Sequence, residues 1–373
     1  MKKEEKKFTV TPWEVSGDID YEKLATEFGI TQMKQLPKVF EKNVLFRRKI
    51  VFAHRDFQRI LEAMRDKKPF VMMTGLMPTG KFHIGHMLLA QQMIFYQSIG
   101  AKIYIAVADL EAYNARGQSL DESRKIAIEE YITNYIALGL KPENCNIYFQ
   151  SARSKDAKKS NAYYRLQNLL SKHATFNEFR AVYGEISPGK MMASLLQAAD
   201  MLHPQLPEFE GMMPVLVPVG VDQDPHLRLA RDISQRIKHP NFIQLSSTYH
   251  IFAPGLNGGK MSSSDPTSFI ALTDNENEVE KKIKRAFSGG QPSIEEHRKK
   301  GGNPDIDIPY QYLKMFFEQD DKKLKKIEQD YRKGKLLSSE IKNILIKKVN
   351  AFLKQHQAER EKAKKMIDKY ISK

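Results

Sequence analysis

The segment 70–108 constrains the fold of this chain more than any other part of its sequence. An apolar run at Phe70–Thr74 is followed by a glycine-punctuated loop up to Gly80, and an amphipathic helical pattern begins near His83. A second apolar run, Lys102–Ala108, follows that helix. A buried strand, a glycine-rich turn, a helix and a second strand form a βαβ unit of the nucleotide-binding type.

The alternation of apolar runs with helical patterns continues through the middle of the chain. Further strands are predicted at Asn146–Gln150 and Met213–Val219. Helices are predicted at Ser123–Leu138, Ala162–Leu170, Met191–Leu202 and Pro225–Arg236. This alternation favours an α/β fold that is built on a doubly wound parallel sheet.

The pattern divides the chain into three regions. Residues 1–69 are predicted to be an appended N-terminal segment with a helix at Val51–Met64. Residues 70–275 form the predicted Rossmann-type domain, with a connecting insertion at about 151–190. Only helical patterns follow, so residues 276–373 are predicted to be an all-helical domain.

The charge of the chain is strongly basic and unevenly distributed. Sixty Lys and Arg residues oppose 45 Asp and Glu residues, which gives a net charge of +15. Residues 321–373 alone hold 17 Lys and Arg against 7 Asp and Glu. A concentrated basic surface favours contact with nucleic acid, although composition alone also allows a merely solvated lysine-rich surface.

Composition also excludes several classes of protein. Cys145 is the only cysteine, so a disulfide framework and a cysteine-rich zinc site are not expected. We find no uncharged apolar stretch of ~18 residues, the length that spans a membrane. The first seven residues lack the apolar core of a signal peptide. These features predict a cytoplasmic protein with no membrane span.

The first chemical motif is the loop and helix start at Pro78–His86. Gly80 and Gly85 let the backbone approach a ligand closely, and the helix N-terminus attracts phosphate. His83 and His86 are three residues apart and therefore lie on one face of the first helical turn. Two imidazoles in that position can donate hydrogen bonds to a phosphoryl group in its transition state. A helix that merely begins with histidines is the structural alternative.

The second motif is Gly258–Ser264, with the sequence GGKMSSS. Glycines give mobility, Lys260 supplies positive charge, and the hydroxyls of Ser262–Ser264 are hydrogen-bond donors. Such a loop suits a flexible clamp for a polyphosphate. By itself the pattern is also typical of an ordinary surface loop, but its position downstream of the histidine motif favours the clamp.

Together the two motifs resemble the HIGH and KMSKS signatures of the class I aminoacyl-tRNA synthetases. The resemblance implies catalysis by His83, His86, Lys260, Ser262 and Ser264. It implies ATP binding, with Mg²⁺ carried on ATP, by Pro78, Thr79, Gly80, Gly85, Asp222, Met261 and Ser263. Ser263 replaces the usual second lysine, so Lys81 or Lys190 is considered as a further cation for pyrophosphate.

Other runs resemble the tryptophan-specific members of this class in archaea and eukaryotes. These are Ala286–Gly290, Glu295–Arg298 and Gly301–Asp307, while Gly220–Gln223 resembles an element shared by tyrosine and tryptophan enzymes. The resemblance implies that tryptophan is bound by Met73, Glu111, Gln197, Asp200 and Gln223. Eukaryotic tryptophan enzymes carry tyrosine and glutamine at the positions of Met73 and Ala106, so Asp200 is predicted to bind the indole N–H here.

The resemblance also implies partners and leaves alternatives. It implies tRNA(Trp) as substrate, an anticodon-binding role for residues 276–373, and a homodimer formed near Met191–Met201. A tyrosine-specific synthetase remains an alternative, because a carboxylate suits a phenol as well as an indole. An HxGH-type nucleotidylyltransferase acting on a small metabolite and a non-catalytic RNA-binding paralogue are the others. His173, His203 and His250 show no ligand spacing and are assigned to the core or the surface.

Overall fold

Seven strands form one sheet at the centre of the protein. The computed structural model describes residues 9–10, 15–16, 21–259, 261 and 265–371. The strands of the central sheet are β3 (Thr31–Gln32), β4 (Val51–Arg55), β5 (Val71–Leu76), β6 (Lys102–Val107), β7 (Cys145–Phe149), β8 (Val215–Gly220) and β9 (Ser246–His250). A separate antiparallel pair consists of β1 (Thr9–Val10) and β2 (Val15–Ser16).

The order of strands across the sheet is β3-β4-β9-β8-β5-β6-β7. The five strands from β9 to β7 are parallel, and β3 and β4 add an antiparallel edge. Parallel strands must be joined by crossovers, and helices supply them here. The predicted doubly wound α/β fold is therefore confirmed, with an antiparallel addition that the sequence did not indicate.

The helices follow the strands in the predicted alternation. They are α1 (Tyr21–Glu27), α2 (Lys38–Glu41), α3 (Val44–Arg47), α4 (Gln58–Arg65), α5 (Ile84–Ser98), α6 (Asp109–Arg116), α7 (Leu120–Ile126), α8 (Thr133–Ala137), α9 (Ala157–Ser171), α10 (Phe176–Tyr183), α11 (Pro188–Leu202), α12 (Asp224–Arg236), α13 (Glu276–Arg285), α14 (Ile294–Lys300), α15 (Ile308–Tyr312), α16 (Asp321–Arg332) and α17 (Ser338–Lys364). A π-helical segment, Ala127–Ile132, joins α7 to α8, and another, Leu313–Phe317, follows α15. Short 3₁₀ turns lie at His203–Gln205, Val221–Gln223 and Ile367–Lys369.

Alternate residues of the central strands enter two different hydrophobic cores. Met72 and Ile105 pack on one face of the sheet, whereas Met73 and Ala106 pack on the other. All four side chains are almost completely buried. This alternation follows from the two-residue period of a strand, and it shows why both faces of β5 and β6 are apolar. The face that holds Met73 and Ala106 is the one that lines the candidate site.

The predicted helix at Val51–Met64 is wrong in its first half. Residues 51–55 form strand β4, which pairs antiparallel with β9, and helix α4 begins only at Gln58. Asp56 lies between them with a φ of 48° in the left-handed region, which ends the strand. The distant pairing with β9 overrides the local helical pattern. Part of the segment 1–69 thus belongs to the central sheet.

The C-terminal run that resembles tryptophan enzymes is an architectural element. A Cβ atom on Gly289 would lie 1.9 Å from the carbonyl oxygen of Asn303, and one on Gly301 would lie 1.9 Å from that of Arg332. Buried Asp307 accepts hydrogen bonds from the Gly289 amide and from the Tyr331 hydroxyl, at 2.9 and 2.8 Å. Gly289 and Gly301 are therefore required, because a side chain at either position would clash with a backbone carbonyl. Within the described structure, no residue of 286–307 lines the candidate site.

The final helix, α17, packs its buried face against the α/β part of the chain. Its side chains Ile341, Leu345, Val349 and Leu353 are buried in the same core as the central strands. In the part of the chain that the structure describes, no helix is long and apolar enough to cross a membrane. The helical character of residues 276–373 agrees with the sequence pattern.

Candidate active site

Two adjoining cavities form one cleft at the carboxyl ends of the parallel strands. Their volumes are about 430 and about 400 Å³, and both are lined by Gly75, His86, Gly220 and Gln223. Ligands bind at this edge of open α/β sheets because the strand ends diverge there. The first cavity is also lined by residues predicted to bind an amino acid, and the second is also lined by residues predicted to bind ATP.

Most of the predicted site residues within the described chain line this cleft. The first cavity holds Met73, Gly85, His86, Glu111, Gln197, Asp200 and Gln223. The second adds Thr79, His83, Asp222 and Met261. Pro78 and Gly80 lie in the preceding loop and do not line either cavity. Lys260, Ser262, Ser263 and Ser264 lie outside the described residues.

The two histidines of the HIGH motif are held by hydrogen bonds at the start of α5. His83 is the N-cap residue, and its Nδ1 accepts from the Gly85 amide at 3.1 Å. His86 Nδ1 accepts from the His83 amide at 3.1 Å, and the two rings stack 3.8 Å apart. Because both Nδ1 atoms accept, each neutral ring carries its proton on Nε2. Each histidine can therefore donate one hydrogen bond to a ligand.

Burial keeps these histidines neutral. It lowers the pKa of His83 to about 4, and it lowers the pKa of His86 well below its usual value, with a further contribution from His83. Neutral donors at a helix N-terminus stabilise negative charge without titrating near pH 7. The arrangement suits phosphate better than it suits acid–base chemistry.

Gly85 and Met261 bring the two signature motifs into contact. A Cβ atom on Gly85 would lie 2.8 Å from Met261 Sδ and 3.0 Å from His83 Cε1. Any larger residue at position 85 would push the histidine or the methionine away. Buried Met261 thus packs against the start of α5.

Side chains of the π-helical segment Ala127–Ile132, together with Gln118, fix the loop before the HIGH helix. The Tyr131 hydroxyl donates to the Thr79 carbonyl at 2.7 Å, and Glu130 accepts from the Phe82 amide at 3.1 Å. Gln118 donates to the Pro78 carbonyl at 2.8 Å. Gly80 has a φ of 65°, which a glycine adopts without strain. The shape of the loop is therefore set from outside the motif.

Glu111 and Gln197 form a buried polar pair at the amino-acid end of the cleft. Gln197 Nε2 donates to Glu111 Oε2 at 2.8 Å. Burial, together with the nearby carboxylate of Asp200, raises the pKa of Glu111 to about 7, although the hydrogen bond from Gln197 opposes this rise. The amide oxygen of Gln197, Oε1, is buried with no hydrogen-bond partner. A ligand ammonium group between these oxygens would satisfy both residues.

Asp200 is a buried carboxylate held by three donors. The hydroxyls of Tyr148 and Tyr163 donate to Oδ1 at 2.7 and 2.6 Å, and Gln150 Nε2 donates to Oδ2 at 2.7 Å. Asp200 is only 4% exposed, so it is not a carboxylate of the helix surface. Burial raises its pKa to about 6, although the three donors oppose this rise.

A buried cation lies behind this carboxylate. Arg153 is 1% exposed, and its guanidinium lies 4.0 Å from the ring centre of Tyr148 and 4.6 Å from that of Phe209. Its Nε donates to His203 Nε2 at 2.9 Å. Arg153 therefore helps to offset the charge of Asp200 without entering the cleft. His203 takes the core role expected for it.

Asp222 and Gln223 lie at the end of β8. Gln223 Nε2 donates to Asp222 Oδ2 at 3.3 Å, and a Cβ atom on Gly220 would lie 2.5 Å from Asp222 Oδ1. Gly220 is thus needed for the approach of this carboxylate. Gln223 lines both cavities and lies at their junction, whereas Asp222 lines only the cavity that holds both HIGH histidines.

Three residues that line the cleft were not predicted from the sequence. Gln150 orients Asp200, and His250, which was assigned to the core or surface, lines both cavities and contacts Gln92 Nε2 at 3.1 Å. Arg116 is the single Lys or Arg among the described lining residues. The strand-end positions of Gln150 and His250 could have indicated these two residues, whereas Arg116 ends helix α6.

The two lysines considered as extra cations are elsewhere. Neither Lys81 nor Lys190 lines a cavity, and Lys190 Nζ donates to the Glu185 carbonyl at 3.1 Å. Arg116 is the described cation that does line the cleft, in its first cavity. Among the described residues, no cluster of three or more His, Cys, Asp or Glu residues could hold a metal ion. The expected absence of zinc stays a prediction.

Known proteins resemble this chain over nearly its whole length. The family model described as tRNA synthetases class I (W and Y) matches residues 64–354. The tryptophan–tRNA ligase of Methanocaldococcus jannaschii is 44% identical over 368 residues, which cover 97% of this chain and 98% of the relative.

Solved structures also resemble this chain over nearly its whole length. The crystal structure of tryptophanyl-tRNA synthetase from Aeropyrum pernix K1 matches with a TM-score of 0.89 at 43% identity, covering 95% of this chain and 96% of that one. The enzyme from Encephalitozoon cuniculi, solved bound to tryptophan, matches with a TM-score of 0.77 at 26% identity, covering 94% and 99%. The chain belongs to the tryptophan–tRNA ligase family of class I aminoacyl-tRNA synthetases.

Proposed function

We propose that this protein activates L-tryptophan with ATP and transfers it to tRNA(Trp). The observation that carries the proposal is a single cleft that joins the paired HIGH histidines to the buried group Glu111, Gln197 and Asp200. The relatives that match nearly the full chain are tryptophan–tRNA ligases, which supports this function over the alternatives.

The first step is attack by the tryptophan carboxylate on the α-phosphorus of ATP. A P–O bond forms to the carboxylate, the bond to the β-phosphate breaks, and pyrophosphate leaves with the Mg²⁺ that entered on ATP. No protein nucleophile is needed, so catalysis consists of positioning and charge stabilisation. We assign the stabilising donors to His83 and His86, whose neutral rings carry their protons on Nε2.

The KMSSS segment completes the phosphate end in this proposal. We assign Lys260, Ser262 and Ser264 to the pentavalent phosphate, and Met261 and Ser263 to ATP binding. The contact between Met261 and Gly85 supports the assignment, since it brings this segment to the HIGH helix. Pro78, Thr79 and Gly80 shape the adjoining loop, and Asp222 is assigned to the ribose of ATP.

Glu111, Gln197 and Gln223 are assigned to the α-amino and carboxylate groups of tryptophan. A carboxylate with a pKa of about 7 gains its charge when an ammonium ion arrives. The unpartnered Oε1 of Gln197 supplies a second acceptor. These contacts would hold the substrate carboxylate toward the histidines.

Asp200 is assigned to the indole N–H. A carboxylate accepts about four hydrogen bonds, and Asp200 receives three from Tyr148, Tyr163 and Gln150. The remaining position is on Oδ2 and serves one further donor. Ala106 and Met73 line the same cavity, where a small and a flexible side chain leave room for a bicyclic ring.

In the second step, a terminal ribose hydroxyl of tRNA attacks the adenylate and releases AMP. We propose that residues 276–373 bind the anticodon end, where single-stranded bases can be read. Exposed Leu169 and Met192 on α9 and α11 support a homodimer contact near Met191–Met201. Because aminoacyl-tRNA is consumed by translation, a cytoplasmic location belongs to this proposal.

Amino-acid-dependent exchange of pyrophosphate into ATP tests the proposed activation step. Tryptophan and tyrosine are assayed side by side with the same enzyme. Exchange with tryptophan, and none with tyrosine at equal concentration, is expected. Exchange driven by tyrosine would contradict the assigned specificity, and no exchange with either amino acid would contradict the enzymatic function.

A further inference from the structure

We infer that one face of helix α17, formed by His356, Gln357 and Arg360, positions the catalytic histidines of the HIGH motif. This inference rests on the proposed function, because it concerns the rate of adenylate formation. Two separate chains of contacts lead from this face to the start of α5; the first runs through Tyr131, which lines the second cavity, and neither involves the amino-acid end of the cleft. The helical C-terminal region thereby takes part in the first chemical step, before any RNA is bound.

The first chain of contacts begins at a buried hydrogen bond. His356 Nε2 lies 2.7 Å from Asn134 Oδ1, and both side chains are almost fully buried. The amide nitrogen of Asn134 donates to the Glu130 carbonyl, so its oxygen accepts and the histidine donates. One turn along α17, Arg360 donates to the Glu129 carbonyl at 3.1 Å. Both partners belong to or adjoin the π-helical segment.

That segment in turn holds the loop before the catalytic helix. Glu130 accepts from the Phe82 amide at 3.1 Å, and the Tyr131 hydroxyl donates to the Thr79 carbonyl at 2.7 Å. The Tyr131 ring lies 5.2 Å from the ring of His86 in an edge-on contact. Displacement of the π-helical segment would therefore move His86 and the phosphate-facing loop together.

The second chain of contacts reaches the other side of the HIGH motif. Gln357 Nε2 donates to the carbonyl oxygens of Leu272 and Asp274, at 3.2 and 3.0 Å. The Leu272 amide donates to the Phe82 carbonyl at 3.1 Å, and the Ile84 amide donates to the Ile270 carbonyl at 3.0 Å. The HIGH motif is thus held between the π-helical segment and residues 270–274, and α17 contacts both of these segments.

The π-helical segment explains why an outside support is needed. Its hydrogen bonds run to the fifth residue, a geometry that is rare and usually found as single turns at functional sites. The Thr133 hydroxyl donates to the Ile128 carbonyl at 2.6 Å, which helps to satisfy the widened turn. Burial lowers the pKa of His356 to about 4, so its ring stays neutral and keeps its donor near pH 7.

The test replaces His356 in the full-length enzyme. His356→Leu removes the donor but retains an apolar side chain against Phe352, whose ring stacks on that of His356 at 5.5 Å. We expect kcat for tryptophan-dependent pyrophosphate exchange to fall about tenfold, because small displacements of catalytic groups are costly. KM for tryptophan should change less than about twofold, since the amino-acid end of the cleft is untouched.

Two matched variants separate positioning from folding. His356→Gln can still donate to Asn134, so it should recover kcat to within about threefold of the wild type. Gln355→Ala changes the neighbouring exposed residue and should leave kcat unchanged. Active sites are titrated in each preparation, so that kcat refers to folded enzyme. If His356→Leu does not fold, Gln357→Leu tests the second chain of contacts by the same lowering of kcat.

The outcomes distinguish the inference from the proposed function. A His356→Leu enzyme with wild-type kcat, or a His356→Gln enzyme as slow as His356→Leu, would overturn the positioning role alone. A rise in KM for tryptophan equal to the loss of kcat would also overturn it. A wild-type enzyme that shows no tryptophan-dependent exchange would overturn both the proposed function and this inference.

Discussion

The two ends of the cleft offer different chemistry to a ligand. At the phosphate end, neutral His83 and His86 and a helix N-terminus offer hydrogen-bond donors. At the amino-acid end, Glu111 and Asp200 are buried acids whose pKa values lie at about 7 and about 6. ATP brings its own negative charge and needs only donors, whereas tryptophan offers an ammonium group and one N–H that need acceptors.

This difference implies that the two ends can be disturbed separately. The phosphate end should govern the rate of the chemical step, because its donors act on charge that develops during the reaction. The amino-acid end should govern tryptophan binding. Substitutions on one side should therefore leave the kinetic constants of the other side almost unchanged.

The largest expected effect is at the phosphate end. His86→Ala removes one neutral donor, and kcat for pyrophosphate exchange should fall about 10²- to 10³-fold, as for the loss of an oxyanion-binding donor. KM for tryptophan should stay within about twofold. Steady-state exchange kinetics measure both constants, with Ser98→Ala at the far, exposed end of α5 as the control. A rise in KM for tryptophan without loss of kcat would contradict the division between the two ends.

The next effect is at the amino-acid end. Asp200→Asn removes the negative charge that the indole N–H would face and puts an NH₂ donor against the donors Tyr148, Tyr163 or Gln150. KM for tryptophan should rise about 10- to 100-fold, the range expected for one charge-assisted hydrogen bond, while KM for ATP stays within about twofold. Asp232→Asn, on the exposed side of α12, is the matched control. Equal rises in both KM values would remove Asp200 from the indole site.

Substitution of Arg116 should test whether ATP binding depends on a cation of the cleft. Arg116 is the single Lys or Arg that lines the described cleft, and Ser263 replaces the second lysine of the usual motif. Arg116→Ala should raise KM for ATP about tenfold, because a charge-assisted contact to phosphate is lost. Arg116→Lys should recover most of this affinity. If ATP kinetics in Arg116→Ala match the wild type, another cation neutralises pyrophosphate.

The smallest expected effect is a pH dependence of kcat/KM for tryptophan, with no matching change in KM for ATP. Burial raises the pKa of Glu111 to about 7, so its carboxylate becomes protonated below that pH and cannot pair with an ammonium ion. The value of kcat/KM for tryptophan should fall by up to about tenfold between pH 7 and pH 6. KM for ATP should stay constant there, because His83 remains neutral with a pKa of about 4.

A single variant checks the source of that pH dependence. Glu111→Gln cannot titrate at this position, so its kcat/KM for tryptophan should be lower than that of the wild type and independent of pH between 7 and 8, with a fall of only about twofold at pH 6 as Asp200 becomes protonated. A profile that keeps the wild-type slope in Glu111→Gln would assign the titration to another group, of which Asp200 is the nearest acid.

Local patterns were enough to predict the fold class and much of the cleft. The HIGH loop, the Gly220–Gln223 strand end, and the spacing of Gln197 and Asp200 each lie within a few residues of sequence. Their meeting in one cleft follows from the rule that parallel strands present their carboxyl ends at the same edge. The roles assigned to individual residues stay predictions until the kinetic tests are made.

The features that escaped prediction depend on contacts between distant parts of the chain. Strand β4 exists because it pairs with β9, almost two hundred residues later. The hydrogen bonds to Asp200 come from Tyr148 of β7, Gln150 just after β7 and Tyr163 of α9. No local spacing in the sequence indicates these contacts. The glycines of 286–307 suggested the tryptophan family correctly, but for a structural reason that lies away from the substrate.

Aminoacylation of purified tRNA(Trp) with labelled tryptophan is the most direct test of the central claim. The enzyme should charge tRNA(Trp) with tryptophan to a stable plateau, and it should charge neither tRNA(Trp) nor tRNA(Tyr) with tyrosine. Asp200→Asn should reach the same plateau only at a higher tryptophan concentration. Charging of tRNA(Tyr) with tyrosine, or adenylate formation without any transfer of tryptophan to tRNA(Trp), would contradict the proposed function.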